Sequence, residues 1–347
     1  MRRDYWYAAC SGDRRRHDRQ RTAILGVRDE VELIGASIAH LRRVGVDHIC
    51  VVDYGSVDGT LDVVKSAQRR GWVSLTQADP DVVVDHAASS AHDLAIARAT
   101  GAEWMITVDA DEFWLPATGS LPSSGLDSSV DVLTVERYNV ALADDGLQMP
   151  RVLAPSQYHR LQLLTRRPAD FQRFVSERPD VPFITLAPGH KAAGRLTKLG
   201  AIMPGGHDFS PHGPATSRRA ADIVIAHVAF STWDRFARKV TNIRDEMRRH
   251  PAFFAGALAW HWRRWAELGD GALRLEFQRQ IADRPLLAKW REEGVLQSAG
   301  DVLGLPVPSG LGARLAIRAA ALATRARAAM LTALRPLDGR PVSSSIA

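Results

Sequence analysis

Asp109 and Asp111 stand one residue apart in Ile106-Thr107-Val108-Asp109-Ala110-Asp111-Glu112-Phe113. They follow an apolar run that reads as a buried strand, so both carboxylates can leave the sheet at one point and face one ligand. Carboxylate oxygens are hard donors suited to Mg²⁺ or Mn²⁺, ions that usually hold substrate phosphates as well. Such an ion would offset charge on a leaving diphosphate. The plainer reading is a solvated acidic turn, because Asp-x-Asp is a common pair.

The second group is Val51-Val52-Asp53-Tyr54-Gly55-Ser56-Val57-Asp58-Gly59-Thr60. An aspartate at a strand end can accept hydrogen bonds from a base or a ribose, and Gly55 and Gly59 let the backbone turn close to a ligand. The same residues also suit an ordinary turn into a helix, with Asp58 or Thr60 as its cap. Lys191 and Arg195 follow Gly189-His190 and suit a diphosphate or an anionic acceptor; plain solvation is the alternative. His207 lies in the turn Gly205-Gly206-His207-Asp208, which can cover a site, and His227 ends an apolar run.

The elements that must position these residues alternate. Residues 22–27 read as a buried strand, and Leu33, Ile34, Ile38, Leu41 and Val44 recur at helical spacing up to Gly45. Residues 48–52 are a strand with Asp53 at its end, and residues 60–68 are a helix. A strand over 72–76, a helix over 86–100 and a strand over 104–108 follow. Strand and helix alternating with short links predict a mostly parallel sheet with helices on both faces. Such sheets bind ligands at the carboxyl ends of their strands, where Asp53 and Asp109 fall. Beyond Asp131 the pattern loosens: strands are predicted over 132–135, 158–164 and 223–229. The chain reads as helical from Thr232, with Trp233, Phe236, Val240 and Ile243 on one face. No internal repeat is present.

The 347 residues allow one large domain or two smaller ones, and 46% hydrophobic with 24% charged residues is globular composition. The net charge of +6 suits an anionic partner such as a nucleotide or a membrane surface. Cys10 and Cys50 are the two cysteines, which excludes a disulfide scaffold or a cysteine zinc site and points to a reducing compartment. The start is basic without a signal-peptide apolar region. No window approaches the roughly 18 apolar residues of a spanning helix, so a soluble, cytoplasmic protein is expected. Residues 311–334 carry Arg314, Arg318, Arg325 and Arg327 without an acid. They suit either a basic amphipathic helix on the inner face of an anionic membrane or a terminal helix packed on the domain. Residues 341–347 are expected to be disordered.

Four ordered blocks now carry a resemblance. Val27-Arg28-Asp29-Glu30, the 53–60 block, Asp109-Ala110-Asp111-Glu112-Phe113 and the segment 226–240, with His227, Phe236 and Lys239 at the late-block spacing, resemble the family 2 glycosyltransferases. The resemblance spans residues 22–240. It implies a GT-A fold, a nucleoside-diphosphate-sugar donor, Mn²⁺ or Mg²⁺, and an inverting transfer to a carbohydrate or lipid-linked acceptor. Val27, Asp29, Glu30, Asp53, Asp58 and Asp109 of these blocks are expected at the donor, together with Lys191 from the reading of its own position. Asp53 would sit at the base or ribose, and Asp109, Asp111 and His227 at the metal, with Asp111 as direct ligand. The family's Asn before Glu30 is Asp29 here, its Tyr after the late His is Val228, and its Ser position holds Thr232.

The acceptor-side base is expected at Asp208, with Glu136, Asp144 and Asp234 as rivals. Trp260, Trp262 and Trp265 would either stack on sugar rings or fill a core. The expected organisation is a basic tail (1–20) and a GT-A domain (21–230), divided into a nucleotide-sugar half (21–115) and an acceptor half (131–230). A helical extension (231–300) and a basic helix with a disordered tail (301–347) complete it. Nucleotidyl transfer on a similar sheet, or a non-catalytic scaffold, are the alternatives. The first would want a glycine-rich basic loop after the first strand, where Asp29 and Glu30 stand. Nucleic acid is not expected as a partner, because the candidate site is acidic.

Overall fold

The computed structural model describes residues 6–9, 21–121, 129–147, 149, 153–167, 173, 177, 181–254 and 260–307. The predicted alternation is present through the first half. β1 (Trp6–Ala9), β2 (Arg21–Val27), α1 (Ile34–Arg43), β3 (His48–Asp53), α2 (Thr60–Arg69), β4 (Val73–Ala78), α3 (His86–Ala99) and β5 (Trp104–Asp109) follow in order. β2 lies between β3 and β5, and β3 beside β4, all parallel. Continuous apolar runs such as Ile49 to Val52 fit strands covered on both faces. Ala23, Leu25 and Val51 pack with Ile34, Ile38 and Leu41 of α1 on one face. Ile24, Cys50 and Val52 pack with Leu94 and Ala97 of α3 on the other. Gly45 ends α1 at φ +92°, and Val46 N–H reaches back to the Leu41 carbonyl at 3.0 Å, a closure that favours glycine.

The second half adds β6 (Glu112–Pro116), β7 (Val132–Val140), β8 (Gln162–Leu164), β9 (Lys191–Arg195), β10 (Ser217–His227) and β11 (Leu296–Ser298). The path through the sheet is β1-β4-β3-β2-β5-β9-β7-β8-β11. β9 is antiparallel to both β5 and β7, while β10 runs parallel to β7 and antiparallel to β6. The α/β class read from the sequence holds; the parallel pairing dominates only the first half. β6 starts almost where β5 stops, yet pairs with β10. The chain therefore turns a corner between Asp109 and Glu112.

Helices α4 (Trp233–Arg249), α5 (Trp260–Ala266), α6 (Asp270–Gln278) and α7 (Arg284–Glu292) follow β10. Thr232 caps α4, its Oγ1 accepting from Arg235 N–H at 3.2 Å. Phe236 and Val240 of α4 are buried with Phe230, Trp265, Phe277 and Trp290. Two expectations change here. Region 231–300 is not purely helical, because β11 returns to the main sheet beside β8. The first 20 residues are not wholly a tail, because β1 pairs with β4. The amphipathic stretch 311–334 and the end at 341–347 lie outside the described residues. Among the described residues no helix is long and apolar enough to cross a membrane.

Candidate active site

A cleft of about 990 Å³ opens where β2 and β5 end, lined by Val27, Tyr54, Asp109, Asp111, Lys191 and Lys239 among others. Its floor is the corner between β5 and β6. The Asp109 side chain is 52% exposed and accepts from Lys191 Nζ at 2.9 Å. Beneath it Glu112 is fully buried, accepting from the Asp109 backbone N–H at 3.0 Å and paired with Arg137 and, at 3.3 Å, Lys191. Burial, and then the charge of Asp109, push the Glu112 carboxyl up. Desolvation would raise Asp109 as well, but Lys191 and Arg137 outweigh it and hold that carboxyl below its ordinary value.

Asp111 points the other way and is buried. Its Oδ2 accepts from Arg235 Nη2 and Lys239 Nζ, each at 2.7 Å. Arg235 also grips Glu30 with both arms of its fork, Nε at 2.6 Å and Nη2 at 2.9 Å, and Lys239 reaches Glu30 at 3.1 Å. Two acids and two bases thus close a buried cluster. Burial opposes ionisation of Asp111, yet Lys239, His227 and Arg235 together hold it well below the usual carboxylate range. Its charge in turn raises Lys239 against burial.

His227 ends β10 beside this cluster. Asn139 Nδ2 donates to the carbonyls of Ile184 at 3.1 Å and Leu186 at 2.8 Å, which turns Asn139 Oδ1 toward His227 Nδ1 at 2.7 Å. Nδ1 is therefore the protonated nitrogen, and Nε2 stands 3.7 Å from Asp111 Oδ2. A metal-binding histidine is usually fixed in this way through its other nitrogen. Asp111, His227 and the half-open Asp109 are the residues here that could share an ion with a diphosphate, although Asp111 Oδ2 is already held by Arg235 and Lys239. Among the described residues no three His, Cys, Asp or Glu side chains gather closely enough to hold an ion unaided.

The acids after β2 and β3 behave differently. Asp29 takes φ +55°; its Oδ1 accepts from Val57 N–H at 2.7 Å and its Oδ2 from Asn242 at 2.8 Å. Asp58 accepts from Thr60 N–H at 3.0 Å, Val31 N–H at 3.2 Å and Arg238 at 2.9 Å. Asp53 is fully buried, with Oδ2 taking Gly55 and Ser56 N–H at 3.2 Å each, and Oδ1 buried without a hydrogen-bond partner. Burial raises its pKa. Asp29, Asp53 and Asp58 do not line the cleft, and Glu30 lines it with both oxygens already engaged. These four acids hold the loops together. The left-handed backbone at Asp29 also accounts for Asp where the family has Asn, since these two residues enter that region most readily.

Asp208 is exposed outside the cleft and accepts from Phe209 N–H at 2.8 Å. Glu136, paired with Arg167 and Arg219, and the exposed Asp144 and Asp234 also lie outside it. Arg195 pairs with Glu103 and lies over Trp104, away from the lining. Trp265 is buried among Phe183, Phe230 and Phe236, and both it and the half-buried Trp262 line the cleft. The Trp260 side chain lies outside the described residues. Sequence reasoning missed Arg137, Asn139 and Arg235. The spacing 235, 239, 242, 246 along one face of α4 was the available signal, since all four contact residues around the β2 end or the corner.

Residues 22–120 match the family model described as Glycosyl transferase family 2. Over that stretch the chain carries a family 2 glycosyltransferase domain. The matched stretch runs from β2 past β6 and contains the whole corner. The nucleotidyltransferase and scaffold readings give way to it. No curated protein matches the sequence. Among solved structures, mannosyltransferase PcManGT from Pyrobaculum calidifontis, in complex with GDP-Man and Mn²⁺, is 18% identical over 91% of this transferase and 82% of its own chain, with TM-score 0.38. Glucosyl-3-phosphoglycerate synthase from Mycobacterium tuberculosis, with Mn²⁺, UDP and phosphoglyceric acid, is 15% identical over 69% of this chain and 80% of its own, TM-score 0.30. TarS from S. aureus is 15% identical over 38% of this chain; the transferase spans 23% of that chain, TM-score 0.27. Likeness at this level carries no argument about substrates.

Proposed function

We propose that this transferase moves a sugar from a nucleoside-diphosphate-sugar donor to a hydroxyl of a carbohydrate or lipid-linked acceptor, with inversion. The observation that carries the reading is the corner at Asp109 and Asp111, set at the floor of the cleft among Lys191, Arg137 and Lys239. A departing diphosphate gains negative charge, and preorganised cations in a partly dry cleft favour that charge most where it develops. Lys191 and Lys239 are held in place by Asp109 and Asp111, so they do not have to be ordered on binding. Asp111, His227 and Asp109 would hold Mn²⁺ or Mg²⁺, which supplies Lewis-acid neutralisation of the diphosphate when bound. Contact with an anionic membrane through residues 311–334 is a further proposal and rests on sequence alone.

The test is calorimetric titration of UDP, GDP and dTDP, with and without Mn²⁺, on wild type and Asp109→Ala. The expected result is metal-strengthened binding of one nucleotide that weakens at least tenfold in the variant. Absence of binding to all three by folded protein would refute the donor assignment. Binding unaffected by EDTA would remove the metal and leave the lysines as the diphosphate clamp.

A further inference from the structure

We infer that His207 is the general base of the transfer, its Nε2 taking the proton of the attacking hydroxyl. This rests on the glycosyl-transfer reading above and names a catalytic residue for it.

The argument begins with the loop that carries His207. Gly205 and Gly206 take φ +71° and +64° in succession, a path that side chains other than glycine resist. The Gly205 carbonyl accepts from Lys191 Nζ at 2.8 Å, and the Gly206 carbonyl from Thr107 Oγ1 at 2.8 Å. A Cβ on Gly206 would stand 2.7 Å from Thr107, so the loop lies directly against β5 two residues before Asp109. Lys191 thereby ties this loop and the Asp109 carboxylate to one ammonium group.

The ring is then oriented. His207 Nδ1 lies 2.7 Å from the His190 carbonyl oxygen, which only accepts, so Nδ1 carries the proton and Nε2 the lone pair. A Cβ on Gly205 would come within 2.9 Å of Nε2, so glycine keeps that edge of the ring clear. The ring lines the cleft. Burial, then Arg137, lower its pKa to about 4, with Lys191 acting the same way and the His190 bond and Asp109 acting against them. The imidazole is therefore neutral at pH 7. With Nδ1–H spent on the backbone, it cannot donate to a phosphate from Nε2. Its natural partner in this cleft is a hydroxyl.

The carboxylates that line the cleft are engaged. Glu30 is held by Arg235, Asp109 by Lys191, Asp111 by Lys239 and Glu246 by Arg28 at 2.5 Å. Asp93 sits 3.3 Å from His92, and His227 Nε2 faces the Asp111 carboxylate at 3.7 Å, away from the His207 loop's own contacts with Thr107 and His190. In the step itself the acceptor O–H gives its proton to Nε2 while its oxygen forms the bond to the anomeric carbon. The bond from that carbon to the diphosphate oxygen breaks, and its electron pair leaves with the nucleoside diphosphate. The imidazolium is favoured by Asp109 and by the departing diphosphate, and it returns its proton to water.

The test uses sugar-nucleotide hydrolysis, with water as the acceptor, on UDP-glucose, GDP-mannose and dTDP-glucose. His207→Asn keeps a donor for the His190 carbonyl and lacks the Nε2 lone pair; His207→Ala leaves space. Both should release nucleoside diphosphate about 10²–10⁴-fold more slowly, with nucleoside-diphosphate affinity within about threefold of wild type. Azide attacks as an anion and has no proton to remove. It should restore release in His207→Ala and yield the glycosyl azide. Hydrolysis at the wild-type rate in both variants, no restoration by azide, or loss of nucleotide affinity in step with rate would overturn the base assignment alone. Wild-type protein that binds no nucleoside diphosphate would overturn the transferase site and the base with it.

Discussion

The acids at the ends of β2 and β3 and those at the end of β5 are the same residue types at equivalent places in a parallel sheet. They end up in opposite circumstances. Asp53 and Asp58 turn back onto backbone N–H groups of their own loop, and Asp29 accepts from Val57 N–H of that neighbouring loop. Asp109, Asp111 and Glu112 face Lys191, Arg137, Arg235 and Lys239, which come from β9, β7 and α4. Strand-end carboxylates are thus of two kinds: those that satisfy a tight turn, and those a distant element meets with charge. Only the second kind places charge at a cleft, and within it Asp109 and Asp111 divide again by exposure, 52% against 3% for the side chains.

That division predicts the largest effect. Asp111→Asn leaves Arg235 and Lys239 with a buried positive excess and should cost about 3–5 kcal/mol of stability, read by urea denaturation. Asp109→Asn should cost under about 1 kcal/mol, because that carboxylate is half in solvent, while slowing donor turnover about 10²–10³-fold. Equal stability losses in the two variants would erase the distinction drawn between them.

Acid titration sharpens the same contrast. The folded pKa of Asp111 lies well below its ordinary 3.8, so its stabilisation is complete above the unfolded value and is lost as pH falls through the lower folded value. Wild type should therefore lose stability steeply below about pH 4, and Asp111→Asn should show a shallower slope there. Parallel slopes in wild type and variant would mean that Asp111 is not the group being titrated.

Much of this fold is legible in the residues. The apolar runs over 22–27, 48–52 and 104–108 and the helical spacing from Leu33 to Val44 predict the first half, because local pattern and burial agree there. β6 and β9 were not foreseen. Glu112 and Lys191 open them with charge, and both charges are buried only because they meet each other and Arg137. Which acid meets which base depends on pairs 82 and 128 residues apart, Lys191 with Asp109 and Lys239 with Asp111. No local pattern encodes such pairs. Asp53 illustrates the converse: its position at a strand end is legible, but the turn onto Gly55 and Ser56 N–H is not.

The loop over β5 gives an intermediate effect. Gly206→Ala places a methyl against Thr107 at a positive φ, which should cost about 1–2 kcal/mol from backbone handedness alone and shift the neighbouring His207. Thermal denaturation reads the first and donor hydrolysis the second. A variant as stable and as active as wild type would show that the loop does not press on β5 in solution.

The smallest effect is expected at Asp53, and it bears most directly on the two kinds of acid. Asp53→Asn keeps an oxygen to accept from Gly55 and Ser56 N–H and removes a charge that burial disfavours. A carboxyl whose folded pKa is raised binds its proton more tightly when folded, so wild type loses stability as pH rises through that raised value. The amide carries no such penalty, and the variant should lie within about 1 kcal/mol of wild type at pH 7. If Asp53 only closes its turn, nucleoside-diphosphate affinity should stay within about threefold. A tenfold loss, about 1.4 kcal/mol, would mean that the turn opens on binding and that the buried Oδ1 waits for the nucleoside. The acids after β3 would then join those after β5 as ligands, and the contrast between the two strand ends would not survive donor binding.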